Sequence, residues 1–293
     1  MTLSELHSFE PSHPFLVAVD SDGCVFDNYE IKHRECAIPL FIGHFGLQPA
    51  SRWARETWEF AALYSRTRGV NRFALLSNVL NLLGERPEVL GRGVTPRSSE
   101  DIDLWLASAG RWTNATLAEE VEHGTESLRM VLEWSQAVDG LMEGMVRGIP
   151  PFAMARETLA ALQEMADVVV LGDGPTEAVE RAWAEQGLTE GARLIAGEEL
   201  GSKAEVLKAL SGGKYEPRHT LMIGDSPPDF RAAMAANALF WPILPLREEW
   251  SWRLLFDEGV NRFKEGGLSG EYVSSLMESF EATLPSIPPW KGA

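Results

Sequence analysis

The sequence has few cysteines and few basic residues, and each shortage excludes a class of protein. Two cysteines, Cys24 and Cys36, among 293 residues are too few for a disulfide framework or a structural zinc site. The 26 lysine and arginine residues stand against 43 aspartate and glutamate residues, which gives a net charge of −17. Nucleic acids and anionic membranes both attract positively charged surfaces, so we expect neither as a partner.

The chain also lacks long apolar runs. No stretch approaches the roughly 20 apolar residues of a membrane-spanning helix, and the first residues do not follow the charged-then-apolar pattern of a secretory signal. These observations predict a soluble protein of the cytoplasm. Apolar residues still make up 45% of the sequence, and ten residues are tryptophan, so a sizeable core can form.

A short apolar stretch that ends in two acids is the first candidate for a site. Residues 15–19 have the length of one buried strand, and Asp20 and Asp22 follow it at once, with Gly23 after them. Open α/β sheets bind their ligands at the carboxyl ends of the strands. We therefore place a candidate site at Asp20 and Asp22.

Two further apolar stretches, residues 168–171 and 220–224, run into acids in the same way. The polar residues that follow these two stretches, or open the helix between them, are Asp173, Asp225, Asp229 and Lys203. In a parallel sheet the strand ends lie on one edge, so these side chains should converge with Asp20 and Asp22. Crowded carboxylates repel one another, and a bound Mg²⁺ together with the lysine would offset that repulsion. The alternative is a set of separate surface acids.

The hydrophobic pattern divides the chain into regions. Strands and helices alternate between residues 149 and 246, which is typical of a parallel sheet. Residues 28–148 have helical periodicity and no convincing strand. The pattern therefore predicts an all-helical insertion between two parts of an α/β unit, and residues 247–293 follow as a further helical segment with a proline-rich end.

Together these stretches resemble motifs of the haloacid dehalogenase-like (HAD) hydrolase superfamily. The stretch DSDG at 20–23 is similar to the first motif of that family, Lys203 to the third, and GDSPPD at 224–229 to the fourth. The resemblance covers residues 15–27 and 150–246. It implies an α/β fold with a doubly wound parallel sheet and an all-helical cap domain inserted after the first motif. The expected domains are a core at 1–27 and 149–246, a cap at 28–148, and a C-terminal helical extension at 247–293 packed on the core.

The resemblance also implies roles for the acids and the lysine. Asp20 would be the nucleophile that forms an aspartyl-phosphate, and Asp22 would protonate the leaving group and then activate water. Lys203 would neutralise the nucleophile and the phosphoryl oxygens. Asp20, Asp225 and the backbone carbonyl of Asp22 would hold Mg²⁺, and Asp229 would orient Lys203 or the metal shell. An acid at position 22 favours phosphoryl transfer over dehalogenation, since the dehalogenases of the superfamily lack it.

One position departs from the family pattern. The second motif usually ends its strand in Ser or Thr, whose hydroxyl binds the phosphoryl group, whereas this chain has Gly172 followed by Asp173. Glycine offers only a backbone N–H, and an inward-pointing Asp173 would repel phosphate. Thr176, at the start of the next helix, is the candidate substitute, because helix N-termini favour anions.

Three arginines cluster around Gly69 in the helical insertion, namely Arg66, Arg68 and Arg72. One interpretation is a clamp on a distal anionic group of the substrate, since arginine pairs well with carboxylates and phosphates. The other interpretation is that these side chains are solvated at helix ends and interact with helix dipoles. The sequence leaves both interpretations open.

We predict a Mg²⁺-dependent phosphatase that acts on a small phosphorylated metabolite through an aspartyl-phosphate. Two alternatives stay open. One is a phosphomutase of the same fold, which would keep the phosphoryl group in a closed site. The other is a non-catalytic protein that binds a phosphorylated ligand, which the missing hydroxyl at Gly172 would permit. The substrate and the oligomeric state have no signature in the sequence.

Overall fold

The computed structural model describes residues 2–216 and 218–292, and these form two compact units. The first, called the sheet unit, comprises the described residues up to Tyr29 together with Arg147–Leu284. The second, called the helical unit, comprises Glu30–Val146 and the described residues from Pro285 onward. The chain therefore passes from one unit to the other after Tyr29, after Val146 and after Leu284.

Five parallel strands form the sheet in the order β3-β2-β1-β4-β5. They are β1 (Phe15–Val19), β2 (Ala166–Leu171), β3 (Leu194–Ala196), β4 (Thr220–Gly224) and β5 (Leu239–Pro242). In the centre, Val17 of β1 lies in register with Val168 of β2 and Leu221 of β4. The chain order reverses between β1 and β4, and such a reversal is where open α/β sheets bind ligands.

The remaining regular structure is helical. The α-helices of the described residues are α1 (Leu3–Leu6), α2 (Tyr29–Ile31), α3 (Ile38–His44), α4 (Ser51–Leu63), α5 (Arg72–Gly84), α6 (Pro87–Leu90), α7 (Glu100–Ser108), α8 (Asn114–Glu122), α9 (Arg129–Met145), α10 (Ala155–Gln163), α11 (Thr176–Glu185), α12 (Lys203–Ser211), α13 (Pro227–Ala235), α14 (Glu248–Leu254), α15 (Val260–Lys264) and α16 (Gly270–Thr283). Two π-helical segments span Lys32–Ala37 and Leu255–Gly259. Short 3-10 turns span Gln48–Ala50, Glu126–Leu128, Thr189–Gly191, Glu198–Leu200 and Pro289–Lys291. Among the described residues, no helix is both long enough and apolar enough to cross a membrane.

Helices cover both faces of the sheet. Alternate residues of β1 point to opposite faces, with Val17 and Val19 on one side and Leu16 and Ala18 on the other. The first face packs against α10, α11, α14 and α15, and the second packs against α1, α12 and α13. The central strand is thus buried on both faces, which explains why its sequence is a continuous apolar run. The predicted fold class, a doubly wound parallel sheet, is confirmed.

The helical unit has its own aromatic core. Trp58 of α4 packs edge-on against Trp134 of α9, with 5.6 Å between ring centroids, and its ring lies 4.9 Å from that of Phe41 in α3. All three side chains are buried. The described residues of Glu30–Val146 contain no strand, and the helical character predicted for this region is confirmed.

The last described residues differ from the expectation that all of 247–293 packs on the core. The part after Leu284 groups with the helical unit. The guanidinium of the buried Arg86 lies 4.3 Å from the ring centroid of Trp290, and the same ring meets Phe60 edge-on at 5.4 Å. These contacts account for the position of the tail, because a stacked arginine and an aromatic pair both hold the tryptophan.

Candidate active site

Asp20 is the first residue beyond the central strand. Its backbone N–H donates to the carbonyl of Ile223 at 2.9 Å, which extends the pairing of β1 with β4 by one residue. The residue is 4% exposed, and its carboxylate Oδ1 accepts a hydrogen bond from the N–H of Ser21 at 2.7 Å. The end of the sheet therefore fixes both the position and the orientation of this side chain.

The end of β4 supplies two more buried acids. Asp225 follows Gly224, and Asp229 lies in the first turn of α13. Asp229 Oδ2 accepts hydrogen bonds from the N–H of Ser226 at 3.1 Å and from its hydroxyl at 2.6 Å, in a capping box that starts the helix. A Cβ on Gly224 would lie 2.4 Å from the Cβ of Asp229, so only glycine lets the helix start this close to the strand.

Lys203 joins the acids of three strand ends. It opens α12 after the N-cap Ser202, and its side chain is buried. The Nζ atom lies 2.8 Å from Asp20 Oδ1, 2.7 Å from Asp229 Oδ1 and 2.7 Å from Asp173 Oδ2. The convergence expected from the topology is thus present for these residues, and separate surface acids are not what the structure contains.

Charge is unbalanced in this cluster. Burial opposes the charge of Lys203, but the surrounding carboxylates outweigh that effect and raise its pKa well above the usual range. Burial also raises the pKa of Asp20, and the nearby carboxylate of Asp229 raises it further, with Lys203 only partly opposing this. One ammonium group therefore does not neutralise the acids around it.

The residues present fit a divalent cation. Asp20, Asp225 and Asp229 are all buried, and each offers one carboxylate oxygen such that the three oxygens lie within 4.8 Å of one another. Carboxylate oxygens are the donors that hard cations such as Mg²⁺ or Ca²⁺ take. A cation bound there would also supply the positive charge that the cluster lacks.

Asp22 lies beyond the buried cluster in the loop after β1. Its Oδ1 accepts a hydrogen bond from Asn28 Nδ2 at 2.6 Å, and Asn28 Oδ1 accepts one from the N–H of Gly23 at 3.2 Å. Gly23 has a φ of 74°, in the left-handed region that favours glycine, and this turns the chain back on itself. The loop therefore holds a half-buried carboxylate next to the site.

The second strand end differs from the expectation based on the family pattern. The N–H of Gly172 donates to the carbonyl of Ala196 at 2.8 Å, so this N–H belongs to the sheet and is not directed at a ligand. A Cβ at position 172 would lie 2.6 Å from the Cγ2 atom of Val179, which is buried. A serine could enter here only if Val179 moved. Asp173 is the residue of this turn that reaches the site, and it does so through Lys203.

Thr176 already has partners at the start of α11. Its hydroxyl donates to Glu199 Oε2 at 2.8 Å and accepts a hydrogen bond from the N–H of Gly197 at 3.0 Å. Its own N–H donates to the same carboxylate oxygen at 3.0 Å. A role for Thr176 as a phosphate ligand stays a prediction, and it would require Glu199 to leave this helix N-terminus.

The three arginines belong to the helical unit and have different surroundings there. Arg68 is buried and donates to the carbonyl of Leu63 at 3.0 Å. Arg72 lies 2.5 Å from Asp139 Oδ1 and donates to the hydroxyl of Ser135. Arg66 is exposed. The anion clamp stays a prediction, and the contacts of Arg68 and Arg72 hold their own unit together.

Sequence reasoning missed three residues that position the site, namely Asn28, Glu199 and Ser226. Ser226 had a readable signal, because Ser-x-x-Asp before a helix is the pattern of a capping box. Asn28 and Glu199 had none, since the first acts on a carboxylate six residues earlier across a turn and the second on a threonine 23 residues earlier.

No protein-family model and no curated protein sequence matches the chain. Solved structures with a similar arrangement include two hydrolases. A haloacid dehalogenase-like family hydrolase from Streptococcus pneumoniae has 13% identity and a TM-score of 0.45, over 82% of this chain and 90% of that one. A HAD family hydrolase from Deinococcus radiodurans, solved with bound phosphate and sodium, has 16% identity and a TM-score of 0.45, over 79% and 81%.

These similar structures are HAD hydrolases. Both belong to the family that the motifs at 20–23, Lys203 and 224–229 resemble. Identities of 13% and 16% with TM-scores of 0.45 establish neither the family nor the activity of this chain. We therefore take the function from the residues of the site itself.

Proposed function

We propose that this protein is a Mg²⁺-dependent phosphatase of a small phosphorylated metabolite, with Asp20 as the nucleophile. One observation carries the proposal: a single buried lysine lies within 2.8 Å of carboxylates from three strand ends, at the point where the strand order reverses. Such a site can accept an anionic phosphoryl group once a cation has joined it. We place this activity in the cytoplasm, with neither nucleic acid nor membrane as a partner.

Asp20 is suited to attack phosphorus because two donors fix its carboxylate before substrate arrives. The N–H of Ser21 and the ammonium of Lys203 both lie within 2.8 Å of Oδ1. Attack by the carboxylate forms a P–O bond to Asp20 and breaks the ester P–O bond of the substrate. The fixed geometry avoids the entropy loss of orienting the nucleophile during the reaction.

Asp22 is the group that would move the protons. In the first step its carboxylic acid would protonate the leaving alkoxide. In the second step its carboxylate would take a proton from water, which attacks phosphorus and breaks the bond to Asp20, so that inorganic phosphate leaves and Asp20 is restored. The hydrogen bond from Asn28 to Asp22 Oδ1 would hold the carboxyl group in one orientation through both steps.

Lys203 would stabilise the charge that develops on the transferring phosphoryl oxygens, because a fixed ammonium group in a buried site needs no reorganisation. Mg²⁺ held by Asp20 and Asp225, with Asp229 beside them, would supply further positive charge to those oxygens. Asp229 accepts from both Lys203 and Ser226, and it would keep the lysine directed at the site.

Phosphate release from p-nitrophenyl phosphate and from a panel of phosphorylated sugars, acids and nucleotides tests the proposal. We expect Mg²⁺-dependent release by the wild type and a loss of at least about 10³-fold in kcat/KM for Asp20→Asn. Asp167→Asn, which removes a buried carboxylate at the opposite edge of the sheet, is the control and should keep its turnover. Full activity of Asp20→Asn would contradict the proposal, and transfer of phosphate within a sugar without release would favour the phosphomutase alternative.

A further inference from the structure

Asp173 occupies a place in the site where a negative charge is unexpected for a phosphatase. Its Oδ2 lies 2.7 Å from Lys203 Nζ, whereas its side chain is 56% exposed. Asp20 and Asp229 also lie within 2.8 Å of that nitrogen. An ammonium group has three N–H donors, and three carboxylate oxygens are at hydrogen-bond distance from it. The hydrogen bond to Asp229 and the ion pairs with Asp20 and Asp173 thus surround the ammonium group with carboxylates, where a phosphatase would bind a phosphoryl oxygen.

The three carboxylates are not equally able to leave the lysine. Asp20 is held in place by the N–H of Ser21, and Asp229 by the N–H and hydroxyl of Ser226. Both are buried, with exposures of 4% and 0%. Asp173 is the exposed member of the group, and a rotation of its side chain would carry its carboxylate into water. Asp173 is therefore the carboxylate that can move away from Lys203.

The backbone around Asp173 is fixed, so the motion concerns its side chain. The N–H of Gly172 belongs to the sheet, and the carbonyl of Gly174 accepts a hydrogen bond from the N–H of Glu198 at 2.9 Å. Two residues further on, Thr176 is tied to Glu199. A turn anchored on both sides leaves the χ angles of Asp173 as its free coordinates.

We infer that Asp173 is an intramolecular competitor for the phosphoryl site: its carboxylate forms an ion pair with Lys203 where a phosphoryl oxygen would bind, and a phosphorylated substrate binds only by displacing it. This inference rests on the proposed phosphatase function and names the residue that sets how strongly the site takes anions. Like charges brought together oppose binding, and displacing the carboxylate uses part of the binding energy of the phosphoryl group. Weak binding of inorganic phosphate, the product, is the direct consequence.

Titration calorimetry of inorganic phosphate in the presence of Mg²⁺ tests the inference without any turnover. Asp173→Asn keeps the shape of the side chain and removes its charge, and Asp173→Ser removes both. We expect each to bind phosphate at least about tenfold more tightly than the wild type, since each about 1.4 kcal/mol of lost repulsion is a factor of ten. Asp173→Glu keeps the charge and should bind phosphate as weakly as the wild type.

Glu177→Gln is the matched control. Glu177 is exposed in the first turn of α11, four residues from Asp173, so this change removes one negative charge from the same segment away from Lys203. It should leave phosphate affinity unchanged. The inference is overturned if Asp173→Asn and Asp173→Ser bind phosphate no more tightly than the wild type, or if Glu177→Gln strengthens binding equally, since general charge would then be the cause.

Kinetics on p-nitrophenyl phosphate separate this inference from the proposed function. If both hold, the Asp173→Asn and Asp173→Ser variants have a lower KM and stronger product inhibition by phosphate than the wild type. If neither the wild type nor any variant turns over, yet the Asp173 variants bind phosphate more tightly, the phosphatase proposal fails and the competition at Lys203 stands.

Discussion

The two edges of the central sheet each bury an aspartate next to a cation, and their electrostatics are opposite. At the carboxyl edge one lysine serves three carboxylates, with a fourth, Asp225, nearby. At the amino edge one carboxylate, Asp167 of β2, accepts from five donors. These are the N–H groups of Ser12 and His13, the His13 ring Nδ1, Arg193 and Tyr215.

The pKa shifts follow this difference. Burial alone would raise the pKa of Asp167, but the hydrogen bonds, with that of Arg193 first, outweigh burial and lower it to about 2. Burial and neighbouring carboxylates instead raise the pKa of Asp20. The amino edge therefore has enough donors for its carboxylate, and Asp167 joins β2 to the segments that precede β1, β3 and β4. The carboxyl edge instead has an excess of negative charge. A binding site for a cation requires such an excess.

The largest expected effect is on stability, and it distinguishes the two basic residues, Lys203 and Arg193. Lys203→Met leaves three carboxylates close together in a buried site, and we expect a loss of about 3–5 kcal/mol in unfolding free energy. Arg193→Met should lose only about 1–2 kcal/mol, because Asp167 keeps four other donors and Arg193 is 37% exposed. Urea unfolding at neutral pH measures both, and equal losses would remove the distinction between the edges.

The next effect is the loss of stability at low pH that we expect from Asp167. Its pKa in the folded protein lies below the about 3.9 of an unfolded aspartate, so its ionised form contributes stability that is present above about pH 4 and is lost as the pH falls through about 2. Asp167→Asn should lose about 1–3 kcal/mol at neutral pH, because buried donors lose their acceptor. The free energy of unfolding, measured across that acid range, should change less with pH in the variant than in the wild type. A profile as steep as that of the wild type would contradict this role.

The smallest effect should have the opposite sign. The pKa of Asp20 is raised in the folded protein, so its ionised form opposes folding above the pKa of an unfolded aspartate. Asp20→Asn should therefore leave the metal-free protein as stable as the wild type or up to about 1 kcal/mol more stable, while abolishing turnover. Thermal unfolding in chelator checks this, and a clear loss of stability would assign Asp20 to the structure rather than to a site.

The sequence is informative where a local pattern has a local consequence. Apolar runs that end in acids are strands whose ends meet at one edge, and this rule alone predicts that Asp20, Asp225 and Lys203 converge. Helical periodicity in the same way predicts the character of the insertion between the first two strands. In each case, one stretch of sequence holds both the element and the residue that it positions.

The sequence does not predict contacts whose partners come from distant segments of the chain. Asp167 lies at the amino end of an apolar strand, and its donors come from three other parts of the chain, so no periodicity marks them. Asp173 reaches Lys203 from a turn that is anchored by residues more than 20 positions later, since the N–H of Gly172 donates to Ala196 and the carbonyl of Gly174 accepts from Glu198. The tail around Trp290 has no repeating pattern, and its position depends on contacts with Arg86 and Phe60.

Thermal unfolding with and without Mg²⁺ tests the central claim most directly, since a ligand that binds only the folded state raises the midpoint. If the carboxyl edge is a cation site, Mg²⁺ raises the midpoint of the wild type and of Asp167→Asn, and it does not raise that of Asp225→Asn. An equal rise in Asp225→Asn, or no rise in the wild type, would contradict the account.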